Sequence, residues 1–199
     1  SYIPNIEALR CAQPPDLGAA EISVRLGATW IPADDVREFV LHLLDPPYWV
    51  REQVAVRYSA ATAQWRIEGK GRDGSNVRAL STYGTRRMSA YHIIEETLNL
   101  KDARVVDYVE DENGKKKPVL NKKETAVALA KQEAIKAAFK EWVFSDQARR
   151  ERLVAAYNER FNAIRPREFD GSHLAFPGMN PEIELRPHQR NAVARILYG

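Results

Sequence analysis

The chain is 199 residues long, 44% hydrophobic and 29% charged, with a net charge of +3 and a sequence pI near 9.0. That is enough to bury one domain core with an appendage, and no apolar run reaches the roughly 20 residues of a membrane-spanning helix. A single cysteine, Cys11, excludes an internal disulfide or a cysteine-rich zinc site. Ser1-Tyr2-Ile3-Pro4-Asn5 has neither the basic region nor the apolar core of a signal peptide, so cytoplasmic residence with no membrane partner is expected.

Charge is unevenly placed. Residues 1–50 carry three Lys/Arg against seven Asp/Glu, residues 51–104 ten against six, and the remainder seventeen against fourteen. A basic middle is compatible with a polyanionic partner without specifying one.

Pro4, Pro14 and Pro15 discourage regular structure over 1–15. A short helix is expected over 18–27, and a longer one from Pro32. Asp34 and Asp35 stand in its first turn, and Val36, Phe39, Val40 and Leu43 fall at helical spacing. It ends at Asp45-Pro46-Pro47. The period then changes to 2. Val54, Val56 and Tyr58, then Trp65 and Ile67, read as an antiparallel pair, with a third strand expected around Val77 and Leu80.

A helix over 89–98 follows, with Tyr91, Ile94 and Leu98 on one side. Next comes a strand at Val105, Val106, Tyr108 and Val109, turned by Asp111-Glu112-Asn113-Gly114 toward Val119-Leu120. The strongest helical pattern runs over 122–144, with Val127, Ala134, Ile135, Ala138, Phe139 and Trp142 in one arc. Ser145 or Asp146 caps a second helix with Leu153, Tyr157, Phe161 and Ile164 as its stripe, ended by Pro166. Strands and helices without βαβ alternation predict an α+β fold, a small antiparallel sheet with flanking helices and a long C-terminal helical pair. The expected organisation is an irregular lead over 1–15, the α+β domain over 16–165, and an extended, Gly- and Pro-punctuated segment over 166–199 that ends in a helix.

Few motifs carry chemistry. Asp45-Pro46-Pro47-Tyr48 matches the catalytic tetrapeptide of adenine-N6 methyltransferases, whose acidic side chain and proline carbonyl accept hydrogen bonds from the base's amino group. That motif belongs after a buried strand, whereas Val40-Leu41-His42-Leu43-Leu44 continues a helix. Asp16-Leu17-Gly18-Ala19 is also a poor cofactor turn, so the tetrapeptide reads as a helix stop. Gly69-Lys70-Gly71 and Gly114-Lys115-Lys116 lack the phosphate-loop pattern. His42, His92, His173 and His188 share no metal-ligand spacing, and no nucleophilic or acid–base set is defined.

Arg86, Arg87, Lys115, Lys116 and Lys117 are the candidate phosphate contacts, with Arg57, Arg66, Lys70 and Arg72 as further cations. Tyr58, Trp65, Tyr83 and Tyr91 are interleaved aromatics able to stack on unpaired bases. The plain alternative is that the cations form solvated faces and that the aromatics belong to the core.

Leu185-Arg186-Pro187-His188-Gln189, opening an amphipathic helix, resembles the glutamine motif of superfamily-two helicases. Other segments are similar to the large helicase–methylase proteins of phages and mobile elements, related to antirestriction proteins. These are Arg25-Leu26-Gly27-Ala28-Thr29-Trp30-Ile31-Pro32, Thr82-Tyr83-Gly84-Thr85 and Glu96-Thr97-Leu98-Asn99-Leu100. Tyr157-Asn158-Glu159-Arg160-Phe161-Asn162, Arg165-Pro166-Arg167-Glu168, Asp170-Gly171-Ser172-His173-Leu174 and Pro177-Gly178-Met179-Asn180-Pro181 extend the series. The resemblance places the chain between an adenine-N6 methyltransferase module and a helicase core. It implies ATP and Mg²⁺ for the parent protein, with Arg186 and Gln189 serving the adenine there, through an amide that offers donor and acceptor side by side.

No cofactor and no catalysis are expected of these 199 residues, which contain no phosphate-binding loop. Two functions stay open. One is a non-catalytic accessory domain that contacts DNA. The other is a docking or spacer domain that orients the methylase and helicase modules through apolar faces.

Overall fold

The structure is a computed structural model and describes residues 2, 4–7, 13–110, 115–163, 168–180 and 182–199. Contacts divide the chain into two units, Asp16–Arg160 and Ser1–Pro15 with Phe161–Gly199. The fold is α+β, and its strands form two separate antiparallel pairs. None of the described helices is long and apolar enough to cross a membrane.

The first unit opens on an extended segment. A helix was expected over 18–27, but Ile22, Val24 and Leu26 are buried on alternate positions of non-helical chain. Period-2 burial of Ile22, Val24 and Leu26, two of them β-branched, overrides the short-helix reading. Helix α1 (Ala33–Leu44) then buries Val36, Phe39, Val40, Leu43 and Leu44, and ends at Asp45 in the left-handed region (φ 44°). One short helical turn, α2 (Tyr48–Arg51), leads into β1 (Ala55–Ser59), which pairs with β2 (Gln64–Glu68). Val56, Trp65 and Ile67 face the core, as the alternation predicts. The third strand expected around Val77 and Leu80 is instead a π-helical turn over Arg78–Thr82. There Val77 and Leu80 are exposed and only Ala79 is buried. Asn76 forces this outcome by accepting from the backbone N–H of Arg78 and Ala79, which closes the chain on itself.

Helix α3 (Ala90–Leu98) packs Tyr91, Ile93, Ile94 and Leu98 inward. Strands β3 (Val106–Glu110) and β4 (Lys116–Leu120) form the second pair. The turn expected at residues 111–114 lies outside the described residues. Helix α4 (Lys122–Val143) starts at Asn121, whose Oδ1 accepts from Glu124 N–H. Its buried stripe is Thr125, Ala128, Gln132, Ile135, Phe139 and Val143, whereas Val127 and Ala134, placed by sequence in the apolar arc, are exposed. Helix α5 (Gln147–Phe161) is capped by Asp146, which accepts from Arg149 N–H at 2.8 Å. Leu153 is fully buried on it and Phe161 is exposed, while Ile164 and Pro166 lie outside the described residues.

Several segments of the resemblance owe their composition to this packing. Gly27 adopts φ +95°, and a Cβ there would fall 2.5 Å from the carbonyl oxygen of Leu98, so the 25–32 and 96–100 segments meet where no side chain fits. Asn99 satisfies both backbone groups of Trp65. Asn158 does the same for Leu17, while Tyr157 meets Trp30 edge-on at 5.3 Å. Glu95 on α3 accepts from Ile67 N–H and from Lys70 Nζ, both at 2.7 Å. Burial opposes the Glu95 charge, but the Lys70 and Ile67 hydrogen bonds outweigh it and hold the carboxyl below its ordinary range. A depressed folded pKa gives stability that is present above the ordinary glutamate range and lost as pH falls through the folded value. Glu95→Gln should therefore lower stability at pH 7 and flatten the acid limb of the unfolding profile below about pH 4.3. Urea titrations from pH 3 to 7 on both proteins test this, and parallel curves would rule it out.

In the second unit, helix α6 (Pro187–Tyr198) has Pro at its first position. Asp170 turns the preceding chain by accepting from Ser172 N–H and Oγ. Gly171 lies against the Arg190 carbonyl, leaving no room for a Cβ, and donates its N–H to Asn191 Oδ1 at 2.9 Å. The Asp170-Gly171-Ser172 segment is thereby the seat of α6.

Candidate nucleic-acid interface

The residues expected to contact phosphate come from two places that the fold joins. Arg86 and Arg87 occupy a turn that Thr85 ties down, since its Oγ1 accepts from Arg87 N–H at 3.2 Å and Met88 N–H at 3.0 Å. From this turn Arg87 reaches β3. Its Nη2 donates to Val106 O at 3.2 Å and lies 2.8 Å from Asp107 Oδ1. Asp107 also accepts from Asn121 Nδ2. The Asn121 and Arg87 hydrogen bonds hold its carboxyl below the usual range. Arg87 is thus a tether between the turn and the ribbon, while the exposed Arg86 guanidinium has no partner among the described residues.

The β3–β4 pair runs in the register Val106↔Leu120, Asp107↔Val119, Tyr108↔Pro118, Val109↔Lys117 and Glu110↔Lys116. All of β4 is exposed, as is β3 apart from Asp107. One face carries Val106, Tyr108 and Glu110 with Lys116, Pro118 and Leu120, and the other carries Asp107, Val109, Lys117 and Val119. Of the three candidate lysines, Lys116 and Lys117 lie within β4, with Lys115 just before it. Glu110 opposite Lys116 reduces the local positive charge. An isolated two-stranded ribbon is marginal in water, so the Arg87 and Asn121 ties to Asp107 matter to its position.

At the Asp45-Pro46-Pro47-Tyr48 turn, both acceptors that the methyltransferase motif would use are occupied by one guanidinium. Arg51 Nε donates to Pro46 O at 2.9 Å and Arg51 Nη2 pairs with the Asp45 carboxylate. The preceding chain is helical, so the tetrapeptide is a helix stop held shut from within. It leaves Tyr48 and Trp49 exposed, packed edge-on at 5.3 Å. Of the other aromatics proposed to stack, Trp65 and Tyr91 are buried, and Tyr91 donates to Asp73 at 2.8 Å. Tyr58 packs on Trp65 at 4.9 Å.

Sequence reasoning missed a groove of about 1180 Å³ between α1, α4 and α5. Arg149 stacks 3.5 Å over Trp142 and donates to the carbonyls of Trp142 and Val143 there, and Arg152 pairs with the buried Asp35 at 2.6 and 2.9 Å. The groove's remaining polar side chains include His42, Arg78, Tyr83 and Glu141, which make no hydrogen bond or ion pair among the described residues. Arg78, Arg149 and Arg152 are balanced by Glu38, Glu141 and Asp146, so the groove offers no net attraction to a polyanion. Its residues come from three separated segments, and no sequence spacing announces it.

At the other end of the chain, Gln189 Oε1 accepts from Arg186 N–H at 2.9 Å, which places the amide on the first turn of its own helix. Among the described residues no three His, Cys, Asp or Glu side chains are arranged to hold a metal ion.

These features define an α+β domain that presents a lysine-bearing β-ribbon. A family model, Domain of unknown function (DUF8437), matches residues 25–163, and the chain belongs to that family. No curated protein and no solved structure matches it.

Proposed function

We propose that this chain is a non-catalytic, cytoplasmic accessory domain that contacts DNA and leads into the ATP- and Mg²⁺-dependent motor of a helicase–methylase protein. The observation that carries the DNA contact is the β3–β4 ribbon, with both faces solvated, lysines along one strand and an arginine tether at its base. Five residues per strand give a ribbon about 17 Å long, and a two-stranded ribbon fits the major groove. Lys115, Lys116, Lys117 and Arg86 supply the backbone contacts, and Arg87 holds the ribbon in place. Arg186 and Gln189 serve adenine only in the intact protein.

Anisotropy of the 199-residue chain with labelled single-stranded, duplex and forked DNA over a salt series tests this reading. Saturable, salt-sensitive binding is expected. Replacing Arg86, Lys115, Lys116 and Lys117 by alanine should reduce the slope of log K against log salt by about 3, at roughly 0.7–0.9 per contact. Absence of binding to every form at low salt would reject it. The docking reading would then take its place, favoured by the exposed Tyr108, Val109, Val119 and Leu120 on the same ribbon.

A further inference from the structure

The outer face of the first strand pair carries an unusual juxtaposition. Register sets Arg57 directly opposite Arg66, both pointing to solvent from the side away from Val56, Trp65 and Ile67. Directly opposed residues root their side chains about 5 Å apart, and like charges in that position destabilise a sheet. Glu68 relieves only part of this. Its Oε2 meets Arg57 Nε at 3.1 Å, leaving both Arg57 Nη groups uncommitted, and the pair is largely exposed. The Arg66 guanidinium has no hydrogen bond or ion pair among the described residues. Ser59, Thr62 and Gln64 complete a shallow cavity of about 400 Å³ over the two arginines, adding hydroxyl and amide donors.

A protein that gains nothing from two apposed guanidinium groups has no reason to face them to water on the middle of a strand pair. A bound oxyanion turns the repulsion into a clamp, because planar guanidinium forks match phosphate oxygens in pairs. Apart from Tyr58, the lining of this cavity is polar or charged, with Glu68 beside the two arginines. Serine, threonine and glutamine are suited to a hydrated polyanion.

We propose that this face is a second nucleic-acid contact, in which Arg57 and Arg66 together grip one backbone phosphate. The proposal rests on the DNA reading above and adds a site to it, separate in sequence and in sheet from the β3–β4 ribbon.

The test uses the 199-residue chain as Arg57→Ala, Arg66→Ala, the double variant and Arg66→Lys, in the same anisotropy salt series and in thermal unfolding. The double variant should lower the salt slope by about 0.7–0.9, the loss of one phosphate contact, while the ribbon's contribution persists. Arg66→Lys should keep the slope, because the charge remains. Arg66→Ala should melt at or above the wild-type temperature, because the like-charge pair is relieved. If the wild-type chain binds DNA and the double variant shows an unchanged slope, the second contact is refuted and the ribbon reading stands. If the wild-type chain binds no DNA, both fall together. Weakened binding with a marked drop in melting temperature would assign the arginines a structural role and overturn the proposal. So would a double variant that loses affinity for polyglutamate but not for DNA, which would reassign the face to an acidic protein.

Discussion

Phe139→Ala should cost about 3–5 kcal/mol of unfolding free energy, the range for truncating a fully buried phenylalanine. Phe139 on α4 is 0% exposed and meets the equally buried Phe39 of α1 edge-on at 5.0 Å, with the Trp142 ring tilted against both. The substitution removes the transfer energy of the ring and opens a cavity that two helices tied elsewhere cannot close. Part of the edge-to-face aromatic interaction is lost as well, about 0.5–1.5 kcal/mol for such a pair. The melting temperature should fall by roughly 10 °C or more for a domain of this size. Denaturant unfolding followed by tryptophan fluorescence gives the free energy directly. A loss below about 1 kcal/mol would mean that α1 and α4 do not share a packed core.

The second large effect is expected from a polar residue. Gln132 is 1% exposed on the buried stripe of α4. Its Oε1 accepts from Ala103 N–H at 3.1 Å, while Nε2 donates to Thr97 Oγ1 at 3.0 Å and to Lys101 O at 2.7 Å. The amide therefore closes the backbone of the segment between α3 and β3, where no helix or strand supplies partners. Thr97 hands on its own proton to Ile93 O at 2.7 Å, so the network is satisfied throughout. Gln132→Leu fills the same space with apolar atoms and leaves the Ala103 N–H and Lys101 carbonyl stranded. A loss of about 2–4 kcal/mol is expected, since each buried unsatisfied group costs about 1–3 kcal/mol. Hydrogen exchange should show the Ala103 amide losing protection first. An unchanged exchange rate at Ala103 with unchanged stability would show that water replaces the amide and that the network is dispensable.

The same residue marks the limit of sequence reasoning. The period of α4 was legible because its apolar and lysine positions separate, but its phase was set by Val127 and Ala134. Both proved exposed once Gln132 took a place in the buried stripe. A glutamine enters a core only when three partners meet it, and those partners lie some thirty residues earlier. At Val77 and Leu80, two apolar residues suggested a strand, and Asn76 bent the chain into a π-helical turn by bonding to its own neighbours.

The candidate site divides in a similar way. The basic residues were visible as residues, and Arg86 and Lys116 remain what the sequence made them, exposed cations. Their division of labour was not visible. Arg87 became a tether because folding brought Asp107 within 2.8 Å, and Arg57 and Arg66 became a pair because strand register set them opposite one another. The Asp45-Pro46-Pro47-Tyr48 turn was read as a helix stop from its position after a helical pattern. The bridging of both its acceptors by Arg51 gives that reading a geometric cause.

The sequence by itself determined the α+β class, the alternation of β1 and β2, helices α1 and α3 to α6 and the cap in the Ser145-Asp146 pair. These follow from periodicity and from hydrogen bonds between residues a few positions apart, which the chain carries locally. Tertiary structure alone decided the phase of α4, the seat of Gly27 against Leu98, the groove between α1, α4 and α5, and which arginines face each other. Each of these depends on groups distant in the chain meeting at ångström range, and no local pattern encodes that distance.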